Sequence, residues 1–344
     1  IWDDYPAPAY NKEYYQSCDA LLGISKQTVN INKLVLGDKG KGKIIKYVPH
    51  GLNSDIFKPL EESNELLQSM KKELFQCKEY DFMLFFNSRN IRRKQIPDSL
   101  LAWRYFLDRL PKEKRSKCLF LLHTQPVDDN GTDLNAIVDY LFEEDKETIK
   151  FSNGKLSSEQ LSCLYNLADA QILLTSNEGW GLSLTEALLT GTPLIANVTG
   201  GMQDQMRFED EDGNWFTPND KIPSNNRGTY KKHGEWAFPV YPTNSSIQGS
   251  PLTPYIWDDR CSAEDAANRI EELYNLSPEE RKKRGMEGMK WATNNEAGFT
   301  SKHQGNRVIE IMDELFDTWK PREKYEFLKD TDFEERVLKH KLIY

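Results

Sequence analysis

An α/β fold built on a parallel sheet is predicted by three features of the sequence. The stretch from Ala170 to Asp204 reads as strand, glycine-bearing loop, short helix, second strand and a further glycine turn. A strand–helix–strand unit this compact joins parallel neighbours, and ligands of such sheets bind beyond the carboxyl ends of the strands. Two more runs, Phe82 to Phe86 and Cys118 to Leu122, are apolar over the length of a strand. Between them, Leu100 to Leu110 has the spacing of an amphipathic helix.

The elements follow in chain order. Ile1 to Asn32 opens with a proline-bearing turn, WDDYPAPAY, then a short helix and the apolar run Ala20 to Ile24 ended by Ser25. Ile44 to Val48 is a β-rich run leading into Pro49-His50-Gly51-Leu52-Asn53 and Phe57-Lys58-Pro59. Glu61 to Glu79 reads as a surface helix and connector. Thr148 to Phe151 is a short strand, Asn153-Gly154-Lys155-Leu156 a turn, and Ser158 to Asn166 a helix with Leu161 and Leu164 facing inward. In the central stretch, Ile172 to Leu174 and Leu194 to Ala196 are strands. Leu184 to Leu189 between them is helical, stopped by Gly191, Thr192 and Pro193. Asn214 to Tyr255 is rich in Pro, Gly, Ser and Asn and is expected to be a long loop, read as a lid or acceptor-side insertion. Ala263 to Tyr274, Pro278 to Asn294 and Gln304 to Trp319 are expected helices. The last takes an apolar face from Val308, Ile309, Ile311, Met312, Leu315 and Phe316.

Composition narrows the function. The net charge of −9 argues against a general nucleic-acid binder, for which a basic surface is expected. A local patch for peripheral membrane contact stays open, but no run approaches the roughly 20 apolar residues of a membrane span. The five cysteines are scattered without a C-x-x-C pair, and the five histidines lack metal-ligand spacing. No metal site and a reducing, cytoplasmic compartment are the expectations. Glu209-Asp210-Glu211-Asp212 is read as a solvated acidic loop, since no apolar strand precedes it.

The chemistry concentrates around two carboxylates, Glu178 and Glu186, eight positions apart and framing the loop Gly179-Trp180-Gly181-Leu182. A carboxylate accepts two hydrogen bonds from a vicinal diol, and glycines let backbone N–H groups approach a ligand closely. Two isolated glutamates at this spacing would read as solvated side chains; here the whole strand–loop–helix–strand setting matches a known pattern. EGWGLSLTE resembles the E-x7-E element of retaining GT-B glycosyltransferases, family 4 in particular. The flanking small-residue turn, Gly191-Thr192-Pro193 and Gly200-Gly201 agree with that family. The resemblance implies a Rossmann-like parallel sheet with helices on both faces. It assigns Glu186 to the ribose hydroxyls of a nucleotide, Glu178 to the transferred sugar, and the amides of Gly179, Trp180, Gly181 and Leu182 to sugar and phosphate.

Other segments carry the resemblance further. Four basic residues follow the strand Phe82 to Phe86, and Arg89 and Lys94 have the spacing of the family's diphosphate-binding pair. Fixed cations there would stabilise the charge that develops on a departing diphosphate. Ser88 and Gln95 stand where the family usually has glycine. Gly154 and Leu156 match a turn whose backbone reads the nucleobase, and His123, at a strand end, is a candidate for lining the donor cleft with a structural role equally open. The Pro49–Pro59 segment resembles the family's interdomain hinge.

The resemblance implies residues 1–58 as the end of an amino-terminal acceptor-side domain plus hinge, with most of that domain absent. Residues 59–319 form the nucleotide-sugar-binding domain with an insertion at 209–258, and 320–344 a charged tail. The expected function is transfer of a sugar from a nucleotide-diphosphate sugar to a carbohydrate, lipid-linked or protein acceptor, with retention, no obligatory metal and no cofactor. Two alternatives stand beside it: a nucleotide-sugar 2-epimerase of related fold, and a non-catalytic nucleotide-sugar-binding subunit.

Overall fold

The computed structural model describes residues 9–76, 78–219 and 222–320. Residues 1–8, which hold most of the expected proline-bearing turn, Cys77 and residues 321–344 of the expected tail lie outside them. The first part comprises α1 (Lys12–Ser17), β1 (Ala20–Gly23), α2 (Lys26–Leu36) and β2 (Ile44–Tyr47). Then come α3 (Glu65–Phe75), β3 (Phe82–Asn87), α4 (Ile96–Asp108), α5 (Lys112–Arg115), β4 (Cys118–His123), α6 (Leu134–Leu141), β5 (Ile149–Ser152) and α7 (Ser158–Leu167). The central stretch gives β6 (Ala170–Leu173), α8 (Leu182–Thr190), β7 (Leu194–Asn197) and α9 (Met202–Met206). The remainder is β8 (Ala237–Val240), β9 (Pro242–Ser250), β10 (Thr253–Cys261), α10 (Ala263–Tyr274), α11 (Pro278–Thr293) and α12 (Ser301–Thr318).

Six strands form one parallel sheet in the order β5-β4-β3-β6-β7-β8. Each of its continuous apolar runs is buried because helices cover both faces. Side chains of a strand alternate between faces. Phe82 therefore meets Trp103 and Phe106 of α4, while Phe85 meets Tyr165 of α7 with ring centroids 4.9 Å apart. From β3 the chain winds outward through β4 to β5, then returns past β3 to β6. The order reverses between β3 and β6, and a crevice opens beyond their carboxyl ends at such a switch point.

The segment 214–255, expected as loop, contains more structure than the sequence announces. Ala237–Val240 is the sixth strand, paired with β7. Pro239 is accommodated because this strand lies at the sheet edge, where a missing N–H costs no ladder bond. Trp236 and Phe238 belong to the core, and the half-buried Trp215 packs against it. β9 and β10 form an antiparallel hairpin whose Trp257 packs on Ile31 and Val35 of α2. Its base supports the central loop: Asp259 donates its N–H to Ser176 O (2.8 Å), and the Asn177 amide bonds Asp258. Glu209 is clasped by Arg207 and Lys232 rather than simply solvated.

β1 and β2 pair in parallel as a separate two-stranded sheet, backed by Val308, Ile311 and Leu315 of α12. A polar junction joins this unit to the larger sheet. The Lys26 ammonium lies 3.6 Å from the centre of the Trp215 ring and donates to Trp215 O (3.1 Å) and Phe216 O (3.0 Å). Its backbone N–H donates to Asp204 Oδ2 at 2.8 Å, and Gln27 and Asn30 bond Asn225 and Pro223. Burial pushes the Asp204 carboxyl up to about 7 and the Lys26 amine down to about 8, each opposed by the other's charge.

Candidate functional site

A cavity of about 340 Å³ occupies the crevice beyond β3 and β6. β3 delivers Asn87 and Ser88 to it, and the short helical turn at 92–94 swings Lys94 inward. That turn ends in Gln95, whose φ of 50° is left-handed, which is why glycine suits the position. The loop after β6 brings Glu178 and Gly179, and the first turn of α8 brings Leu182, Ser183 and Glu186. Ile24 and His50, following β1 and β2, close the far side.

The loop is held from beneath. A Cβ on Gly200, at φ 55°, would lie 2.0 Å from Glu178 O, and one on Gly201 would lie 2.3 Å from Gly179 O. Only glycines allow the two backbones to touch, and Gly201 N–H donates to Glu178 O at 3.1 Å. Gly181 takes φ 88° at the start of α8 and supplies no side-chain cap to that helix. The turn therefore leaves the first helical amides to whatever occupies the cavity.

The two glutamates have contrasting partners. Glu178 Oε2 accepts from Arg93 Nη1 at 2.8 Å and from the Lys94 ammonium. Burial pushes the Glu178 carboxyl up, but the two cations outweigh it and hold the group below its ordinary value. Burial draws the Lys94 amine down despite Glu178. Glu186 Oε2 accepts from Tyr165 Oη at 2.5 Å and Asn87 Nδ2 at 3.1 Å. Burial raises this carboxyl, and the two neutral donors only partly offset the rise.

Of the residues singled out in the sequence, Lys94, Glu178, Gly179, Trp180, Gly181, Leu182 and Glu186 converge on the cavity. The Trp180 indole is turned away from it into the core, against Phe299, with its N–H on Thr185 Oγ1 at 2.8 Å. Arg89 does not line the cavity: its exposed guanidinium pairs with Asp128, Nε to Oδ2 at 2.8 Å. His123 Nδ1 bonds Ser152 Oγ at 3.0 Å, and burial lowers its pKa. Leu156 lines a separate hollow of about 460 Å³ beside α3, and Gly154 is exposed nearby. Sequence reasoning missed Asn87, Tyr165 and Ser183. Asn87 had one signal, a polar residue closing an apolar strand; Tyr165 had none, because its helix is brought in by topology.

A larger hollow of about 650 Å³ opens at the opposite ends of the strands. Its buried Arg281 is consumed by Asp169 (2.8 Å) and by the carbonyls of Leu276 and Asp81. Among the described residues, no group of three or more His, Cys, Asp or Glu is arranged to hold a metal ion. Nor, among them, is any helix long and apolar enough to cross a membrane.

The family described as "Glycosyl transferases group 1" matches residues 141–225, the segment holding both glutamates. An uncharacterized glycosyltransferase of Methanocaldococcus jannaschii is 27% identical over 107 residues, covering 31% of this chain and 26% of the relative. Sucrose-phosphate synthase from Thermosynechococcus elongatus superposes with a TM-score of 0.61 at 19% identity, over 90% of this chain and 61% of that one. Anabaena HepE, in complex with UDP and glucose, gives a TM-score of 0.62 at 14% identity, over 90% and 68% of the two chains. The chain thus spans only part of the length of these proteins. It has the GT-B fold, and its 141–225 segment resembles the group 1 glycosyltransferases.

Proposed function

We propose that this chain carries the donor site of a nucleotide-sugar-dependent glycosyltransferase. The polarity of the cavity is the observation that supports it best. Near the β3 loop, Arg93 and Lys94 place two positive charges against the single negative charge of Glu178. At the α8 end, Glu186 meets only neutral donors and presents an acceptor. A nucleoside diphosphate has the complementary polarity, anionic at the phosphates and hydroxyl-rich at the ribose.

In this reading the diphosphate lies toward Lys94, and a cation at about 4 Å contributes on the order of 4 kcal/mol at an effective dielectric of 20. Arg89 joins it by exchanging Asp128 for phosphate, and Glu178 faces the sugar. Transfer proceeds with retention and without an obligatory metal or cofactor. UDP is the first nucleotide to try, since the solved HepE complex holds UDP and glucose.

Calorimetric titration with UDP, GDP, ADP and their sugar conjugates tests the proposal. One diphosphate should bind, and Glu186→Ala should weaken it by about 1–3 kcal/mol through loss of a buried acceptor. Arg89→Ala should weaken diphosphates far more than nucleosides. Equal loss for both would remove Arg89 from the phosphate site, and no binding by any nucleotide would sink the donor reading.

A further inference from the structure

We propose that Tyr165 and Asn87 are positioning residues that fix one oxygen of Glu186, present the other to a ribose diol, and so set a preference for ribonucleotides over deoxyribonucleotides. The inference rests on the donor reading above and deepens it.

Three groups from three elements close a small polar triangle. The Tyr165 hydroxyl donates to Glu186 Oε2 at 2.5 Å, and Asn87 Nδ2 donates both to Oε2 at 3.1 Å and to Tyr165 Oη at 2.9 Å. Every N–H and O–H of the two donors is then used inside the triangle. Oε2 has two donors and both its in-plane positions filled, so further hydrogen-bond donors are directed to Oε1. No hydrogen bond to Oε1 from a described residue accompanies these.

The hydroxyl itself has nowhere to move. Tyr165 is fully buried, its ring edge-on to Phe85 at 4.9 Å and to Phe57 at 6.5 Å. Its backbone is tied as well, the carbonyl accepting from Thr192 Oγ1 at 2.8 Å. A glutamate on an otherwise open helix turn would sample several rotamers. This one has been ordered before any ligand arrives, so the ligand does not bear that ordering cost. Tyr165 never touches the cavity, whereas Asn87 stands on its wall.

The test is titration of wild type and Tyr165→Phe with UDP, GDP and ADP and with their 2′-deoxy and 3′-deoxy counterparts, repeated between pH 4 and 8. Wild type should favour the ribonucleotide roughly tenfold, the value of one hydrogen bond to a charged group. Tyr165→Phe keeps the ring packing and should reduce that ratio to about threefold while leaving deoxynucleotide affinity unchanged. The pH at which ribonucleotide binding is half lost should also rise, because Glu186 loses a donor that favours its ionised form. A purely structural tyrosine would move neither the ratio nor the pH midpoint. Should Tyr165→Phe fail to fold, Asn87→Ala is measured in the same way, with the same expected loss of discrimination. A wild type that discriminates beside a variant that keeps the full ratio and midpoint would overturn the positioning role alone. A wild type that binds nucleotides but distinguishes none from its deoxy forms would overturn this inference and leave the donor reading standing, whereas a wild type that binds no nucleotide would overturn both.

Discussion

Glu178 and Glu186 flank one loop and line one cavity, yet the protein treats them oppositely. Glu178 is neutralised by two cations from the turn after β3; Glu186 is gripped by a phenol and an amide. The first carboxylate is therefore part of a cationic end, and the second remains an acceptor. The residue type alone does not give a carboxylate its role. The elements that the topology brings to it do.

The largest difference should appear on truncation. Glu178→Ala leaves Lys94 and Arg93 side by side without their anion, and breaking such a buried pair should cost about 3 kcal/mol in urea unfolding. Glu186→Ala removes hydrogen bonds from two neutral donors and should cost about 1–2 kcal/mol. Equal losses would erase the contrast.

Asp204 extends the comparison to a buried carboxyl facing Lys26 and the Tyr47 phenol. Its folded-state pKa is raised, so the folded protein binds the proton more tightly than the unfolded chain. Stability should fall as pH rises from about 4 toward 7, and Asp204→Asn should flatten that slope. Thermal melts across this range read it directly, and an unchanged slope in Asp204→Asn would remove the carboxyl from the cause.

The same linkage separates the two cavity glutamates in sign. The depressed group, Glu178, contributes stability above its unfolded value that is lost as pH falls through the folded one. The raised group, Glu186, loses stability as pH rises from its unfolded value toward the folded one. Difference curves for Glu178→Gln and Glu186→Gln against wild type, between pH 3 and 7, should slope in opposite directions. Parallel curves would contradict the electrostatic asymmetry. The smallest effect concerns the turn carrying Lys94: Gln95→Gly relieves a left-handed backbone and should stabilise by about 0.5 kcal/mol.

Much of this architecture is legible in the residues. β3, β4, β6 and β7 announce themselves because strands buried on both faces need uninterrupted apolar side chains. β8 and the hairpin β9–β10 do not: one is four residues with a proline, the other polar and largely exposed. The glutamate pair is legible because both members lie on one contiguous segment whose glycines and apolar residues reinforce each other. Asn87 and Tyr165 reach Glu186 from 99 and 21 positions away, separations that encode no pattern. Arg89 shows the converse, since its spacing to Lys94 is regular but its partner, Asp128, lies 39 positions on.

The glycine pair beneath the central loop has a thermodynamic consequence. With Gly200 and Gly201 against the backbone of Glu178 and Gly179, and Asp259 bonded to Ser176, the loop is ordered on two sides in the free protein. A ligand entering the cavity meets a surface whose conformational entropy has already been lost. Association should then show a modest entropic penalty and a rate set by encounter, with no slow phase of loop folding.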